Sequence, residues 1–82
     1  MKVHVKIFPA AGLCDKTQKM DVTLEEGDMG ELETRLQERL GVNSGKIRDL
    51  MLLHNGCASD RRNDVIFRDG DQLWLMPVLS GG

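Results

Sequence analysis

Apolar and polar residues alternate with period two at the start of the chain. Val3, Val5 and Ile7 interleave with His4 and Lys6, which predicts a strand over 3–8 with one buried face. Pro9-Ala10-Ala11-Gly12 ends it. A second alternation over 17–24 turns Met20, Val22 and Leu24 inward and Lys19, Asp21 and Thr23 outward. The connection is too long for a tight two-residue turn. After Glu25-Glu26-Gly27-Asp28 the period changes. Met29, Leu32, Leu36 and Leu40 recur at helical spacing and predict an amphipathic helix over 29–40. Asp28 is suited to cap its N-terminus with Glu31 as the capping-box partner, and Gly41 suits the C-cap. Glu31 and Arg35 form a favourable i,i+4 pair. Glu31, Glu33 and Glu38 read as a solvated helix face.

The second half is less regular. Asn43-Ser44-Gly45 predicts a turn, and Ile47-Arg48-Asp49 a short helical turn. Leu50–His54 reads as a third strand, stopped by the Asn55-Gly56 turn signature. Residues 57–63 are polar and read as loop. Val65-Ile66-Phe67 predicts a short fourth strand. Arg68-Asp69-Gly70-Asp71 predicts a sharp turn, with Gly70 suited to positive φ. Gln72–Met76 reads as a fifth strand, and Pro77 ends regular pairing or forces an edge position. The order strand, strand, helix, strand, short strand, strand implies an α+β fold, a mixed sheet of four to five strands with one main helix packed on one face. A crossover would set the last strand or the third beside the first. Leu32, Leu36 and Leu40 are expected to pack on Val5, Val22, Leu52 and Leu75.

With 82 residues the chain has room for one domain and a modest core. A net charge of -2 and the small Arg61-Arg62 cluster exclude a strong basic field for nucleic acid. No apolar run approaches the ~20 residues of a membrane span, and the N-terminus lacks a signal-peptide pattern. A soluble, cytoplasmic protein is expected, with Cys14 and Cys57 as free thiols. His54 and Cys57 give half of a metal motif with no matching second half, so no metal is expected. His4 and His54 read as solvated strand residues, and Glu25-Glu26 as a solvated turn. P-loop, dinucleotide-binding and nucleophile-elbow motifs are all absent.

The end of the sequence carries the informative signal. At a background of about 7% glycine, a terminal Gly-Gly such as Gly81-Gly82 arises by chance in about 0.5% of chains. Glycines let backbone enter a narrow channel and adopt any φ/ψ there. A carboxylate at Gly82 is a poor electrophile until a partner adenylates it.

The run from Asp69-Gly70-Asp71 through Gln72-Leu73-Trp74-Leu75-Met76 and Pro77 to Gly81-Gly82 resembles the closing motif of ubiquitin-like sulfur carriers. The types it is most similar to are the molybdopterin synthase small subunit and the thiamine-biosynthesis carrier. Pro77 is similar to the former; Leu79-Ser80 departs from its usual pair of prolines. The resemblance implies a β-grasp (ubiquitin-like) fold, with residues 1–77 as one domain and 78–82 as a flexible tail. It implies a non-catalytic carrier that binds no cofactor. Its partners would be an adenylating enzyme of the ubiquitin-activating type, which uses ATP, and a larger synthase subunit that accepts sulfur. Gly82, preceded by Gly81, would carry the sulfur as a thiocarboxylate, most simply for molybdopterin. The alternatives are a thiamine-pathway carrier, a modifier that forms isopeptide bonds through Gly82, and an adaptor with an inert tail. If Leu73, Leu75 and Leu52 face the helix, Trp74, Met76 and Leu53 face out. Together with Pro77, Val78 and Leu79 they make a candidate partner-binding surface.

Overall fold

The computed structural model describes residues 1–9, 14–58 and 65–78, apart from the side chain of Ser44. Its elements are β1 (Lys2–Ile7), β2 (Gln18–Thr23), α1 (Met29–Leu40), α2 (Ser44–Arg48), β3 (Leu50–His54), β4 (Cys57–Ala58) and β5 (Gln72–Pro77). They form a five-stranded sheet in the order β2-β1-β5-β3-β4. The last strand, not the third, lies beside the first. Strand β5 pairs parallel with β1 and antiparallel with β3, so the sheet is mixed.

Helix α1 begins and ends where its capping residues dictate. The Asp28 side chain accepts the Glu31 N–H at 2.8 Å, and Gly41 donates its N–H to the Gln37 carbonyl at 2.9 Å. The Glu31 carboxylate reaches past the cap and accepts the N–H groups of Glu25, Glu26 and Gly27 at 2.7–2.9 Å. Those bonds, led by the one from Glu25, hold its pKa below the usual glutamate value. Glu31 is therefore part of a turn scaffold, while Arg35 leans toward Glu38 at 3.8 Å. Gly27 has a φ of +79°, and a Cβ there would sit 2.8 Å from the Phe67 carbonyl oxygen. Only glycine fits this close approach.

The core lies between α1 and the sheet. Leu32 and Leu36 are fully buried with Val3, Ile7, Leu73 and Leu75; Val5, Val22 and Leu52 join them, and Leu40 packs at the margin. Ile47 closes the core from α2, whose N-terminus Asn43 caps by accepting the Lys46 N–H. The expected turn at 43–45 is thus the start of a five-residue helix, because an asparagine that favours turns equally favours an N-cap.

Three further expectations need correction. Residues 57–58 are a strand, not loop: Asn55 (φ +51°) and Gly56 (φ +87°) make a two-residue hairpin that pairs Leu53 with Ala58 and His54 with Cys57. Residues 59–63 lie outside the described residues. The segment Val65–Phe67 is not a strand; Ile66 forms a single bridge to Asp28, and the buried Phe67 donates its N–H to the Gly27 carbonyl. Its apolar run reflects one core anchor in a loop. Glu33 is buried, not solvated, at 6% exposure. Its two carboxylate oxygens accept from Arg48 Nε at 3.0 and 3.1 Å, which ties α1 to α2.

Candidate functional site: the outer face of the sheet

Alternation along β5 sets this surface. Leu73 and Leu75 are fully buried, Trp74 is 39% exposed and Met76 is half-buried. Cross-strand pairing carries the pattern sideways. Trp74 lies between Lys6 on β1 and Leu53 on β3, and Met76 lies opposite Met51. Leu53 is half-buried and Met51 is exposed at the rim. The sequence-predicted residues Leu53, Trp74 and Met76 therefore share the face away from α1. Pro77 and Val78 are exposed where β5 ends. Leu79, Gly81 and Gly82 lie outside the described residues.

Two residues of this face were not predicted for it. Phe8 packs edge-on against Trp74 with ring centroids 5.6 Å apart. The Lys6 ammonium lies 5.0 Å from the Phe8 centroid and 5.1 Å from that of Trp74. This cation–π arrangement orients both rings. The parity of β1 already turns Lys6 and Phe8 outward. What the sequence did not show is that β5 is the neighbour of β1. A shallow depression of about 330 Å³ adjoins the cluster, lined in part by His4, Lys6, Lys19, Asp21, Gln72 and Trp74.

Pro77 is compatible with a central strand because of where it stands. The carbonyls of Asp71 and Leu75 both accept from β1-side N–H groups, those of His4 and Phe8, at 2.8 and 2.9 Å. Period-two alternation turns Pro77 the same way, beyond the last residue of β1. Its missing N–H therefore ends the β1–β5 ladder at the Phe8 carbonyl, which accepts from Cys14 Sγ at 3.6 Å, and leaves the pairing with β3 intact.

The opposite end of β5 is a polar knot. Asp71 accepts from His54 Nε2 at 2.6 Å, from the Arg68 N–H at 2.8 Å and from the Asn55 amide at 3.2 Å. Burial alone would raise the Asp71 pKa; the His54, Arg68 and Asn55 bonds outweigh it and hold the pKa below the usual aspartate range. His54 is not a solvated strand residue. It stands on the helix side of the sheet, edge-on to Phe67 at 5.3 Å. His4 is exposed, as expected, and pairs with Asp21 at 2.7 Å; that bond lowers the Asp21 pKa. Among the described residues no group of three or more His, Cys, Asp or Glu side chains could hold a metal ion. None of the described helices is long and apolar enough to cross a membrane.

No protein-family model matches the chain. Curated relatives do. The molybdopterin synthase sulfur carrier subunit of Drosophila melanogaster is 35% identical over 85 residues, spanning 100% of this chain and 92% of that protein. The Drosophila erecta subunit is 38% identical over 88 residues with the same coverage. Among solved structures, a complex of subunits 1 and 2 of the molybdopterin-converting factor from Helicobacter pylori aligns with a TM-score of 0.65 at 24% identity, covering 100% of both chains. SAMP1 from Haloferax volcanii aligns with a TM-score of 0.73 at 20% identity, also over 100% of both chains. The structural matches establish the β-grasp fold, and the sequence matches go further: the chain belongs to the molybdopterin synthase sulfur carrier subunits, a family of ubiquitin-like sulfur carriers.

Proposed function

We propose that the chain is the sulfur-carrying small subunit of a molybdopterin synthase and that Gly82 is its loading point. The full-length similarity to named carrier subunits is the observation that carries this reading. In the proposed cycle an activating enzyme positions the Gly82 carboxylate against ATP. A carboxylate oxygen attacks the α-phosphorus, pyrophosphate leaves, and an acyl-adenylate forms. A sulfide equivalent then attacks the acyl carbon and AMP leaves, which yields a thiocarboxylate. The carrier needs no catalytic group of its own. It supplies a tethered reactive atom held at high effective concentration.

The outer face suits the docking part of this role. Trp74, Phe8, Met76 and Leu53 form an apolar surface beside the exposed Pro77 and Val78. From Pro77 to Gly82 the chain can span about 20 Å when extended. Residues 78–82 can thus act as an arm that enters a partner's pocket while the sheet stays docked outside. The Helicobacter pylori structure is a complex of subunits 1 and 2 of the molybdopterin-converting factor. We assign the same kind of partner, a larger synthase subunit, to this face, and an adenylating enzyme of the ubiquitin-activating type to an earlier step.

Intact-protein mass spectrometry after incubation with the activating enzyme, ATP and a sulfide source tests the assignment. Wild type should exchange one oxygen for sulfur at its C-terminus. An alanine added after Gly82, or deletion of Gly82, should abolish the exchange without lowering stability. Sulfur accepted by an untrimmed alanine-extended protein would overturn the role of Gly82. Gly-Gly remnants on lysines of other proteins would instead favour a modifier.

A further inference from the structure

The outer face has two halves of different chemistry. Strands β3 and β5 contribute Met51, Leu53, Trp74 and Met76. On β1 and β2 the register sets Lys2, His4 and Lys6 opposite Thr23, Asp21 and Lys19. These six share the outer face, because the alternating Val3, Val5 and Val22 are buried. Three ammonium groups therefore stand there against one carboxylate. That carboxylate, Asp21, is already bonded to His4 at 2.7 Å. The excess is positive although the whole chain carries a formal charge of -2. The acidic residues Glu25, Glu26, Asp28, Glu31, Glu33 and Glu38 belong to the β2–α1 turn and to α1.

Lys6 and Lys19 face each other directly across the β1–β2 pair. Like charges so placed destabilise a sheet. Among the described residues neither has a carboxylate within ion-pair distance. The Lys6 ammonium lies instead near the Phe8 and Trp74 rings. A protein that covers those rings must also cover the ammonium. Removing its water with no anion present is strongly unfavourable. One acidic side chain delivered between Lys6 and Lys19 removes that cost and their mutual repulsion together. The depression lined by both lysines and Trp74 is where it would enter.

We propose that the β1–β2 half of the outer face selects a protein partner that presents a carboxylate beside its apolar contact surface, with Lys6 and Lys19 receiving that carboxylate. This rests on the reading that a larger synthase subunit docks on the face, and it specifies the chemistry of that subunit.

Association of the full chain with the purified cognate large synthase subunit, measured by stopped flow at about 50 mM and about 500 mM salt, tests it. Wild type should associate faster at low salt. The double variant Lys6→Met/Lys19→Met keeps the aliphatic stems and should lose about tenfold or more in on-rate at low salt, then approach wild type at high salt. Lys19→Glu should associate more slowly still, because its carboxylate occupies Lys6. Lys19→Met should melt at or above the wild-type temperature, which separates the effect from misfolding. If the double variant keeps the wild-type rate and salt dependence while Trp74→Ala weakens binding, the docking reading stands and the carboxylate is wrong. If wild type does not bind the large subunit at all, both are overturned.

Discussion

Removing the Asp71 carboxylate should unfasten the end of the sheet farthest from the tail. Its side chain is 13% exposed and holds three donors from two different turns: His54 and Asn55 at the β3–β4 hairpin, and the Arg68 N–H before β5. Hydrogen bonds to a charged group are worth about 1.5–3 kcal/mol each, and the donors nearest solvent regain water when released. Counting the short His54 bond and a part of the other two gives about 2–4 kcal/mol for Asp71→Ala. A domain of this size has about 4–12 kcal/mol in all. At about 4–8 °C per kcal/mol the melting temperature should fall by roughly 10–30 °C. Urea unfolding followed by far-UV circular dichroism at pH 7 measures the loss. The same titration repeated toward acid gives an independent signature. The folded-state pKa of Asp71 lies below its unfolded value, so its contribution is complete above about pH 4 and is lost as the pH falls through the folded pKa. Wild type and Asp71→Ala should therefore converge in stability as the pH falls below about 4. Equal midpoints at pH 7, or a gap that widens in acid, would refute the reasoning.

Leu36 is fully buried against the sheet, and Leu36→Ala should cost about 2–5 kcal/mol in chemical denaturation; an unchanged midpoint would contradict the core assignment. Gly27→Ala combines a φ of +79° with a Cβ 2.8 Å from the Phe67 carbonyl and should destabilise by more than about 1 kcal/mol, read as a lowered melting temperature. Trp74, the single tryptophan, should be quenched by acrylamide in the free protein and protected on docking. Quencher-resistant emission in the free chain would place its ring inside and remove it from the docking surface.

Where one physical signal dominated, the sequence was readable. The 3,4,4 spacing of Met29, Leu32, Leu36 and Leu40, bounded by Asp28 and Gly41, marks α1 at the residues observed. Parity along β5 separates Leu73 and Leu75 from Trp74 and Met76. The signal failed where two outcomes share a composition. Cys57-Ala58 is too short and weakly apolar to announce a strand, yet the Asn55-Gly56 turn folds it back on β3. Glu33 looks solvated because its partner Arg48 is distant in sequence and lies on another helix. His54 is polar in an apolar strand, and only the Asp71 carboxylate arriving from beyond the next loop explains its inward side chain. Within the candidate site the apolar members followed from parity. Phe8 and Lys6 required knowing which strands are neighbours, and a single sequence does not state that.

The placement of β5 also has a mechanical consequence. Its β1 neighbour runs parallel to it, and β3 grips its other edge. A pull between the start of β1 and the end of β5 is directed along both strands in opposite senses. It loads the β1–β5 hydrogen bonds together, in shear, instead of peeling them one at a time. The exit of β5 at Pro77 is therefore an anchor as well as an outlet. A pull on the chain beyond Pro77 meets all of these bonds at once before the sheet behind it unravels. In a force-extension experiment, a chain held by residue 2 and residue 78 should resist more than one held by residue 2 and residue 23, where the β1–β2 bonds would open one after another like a zip.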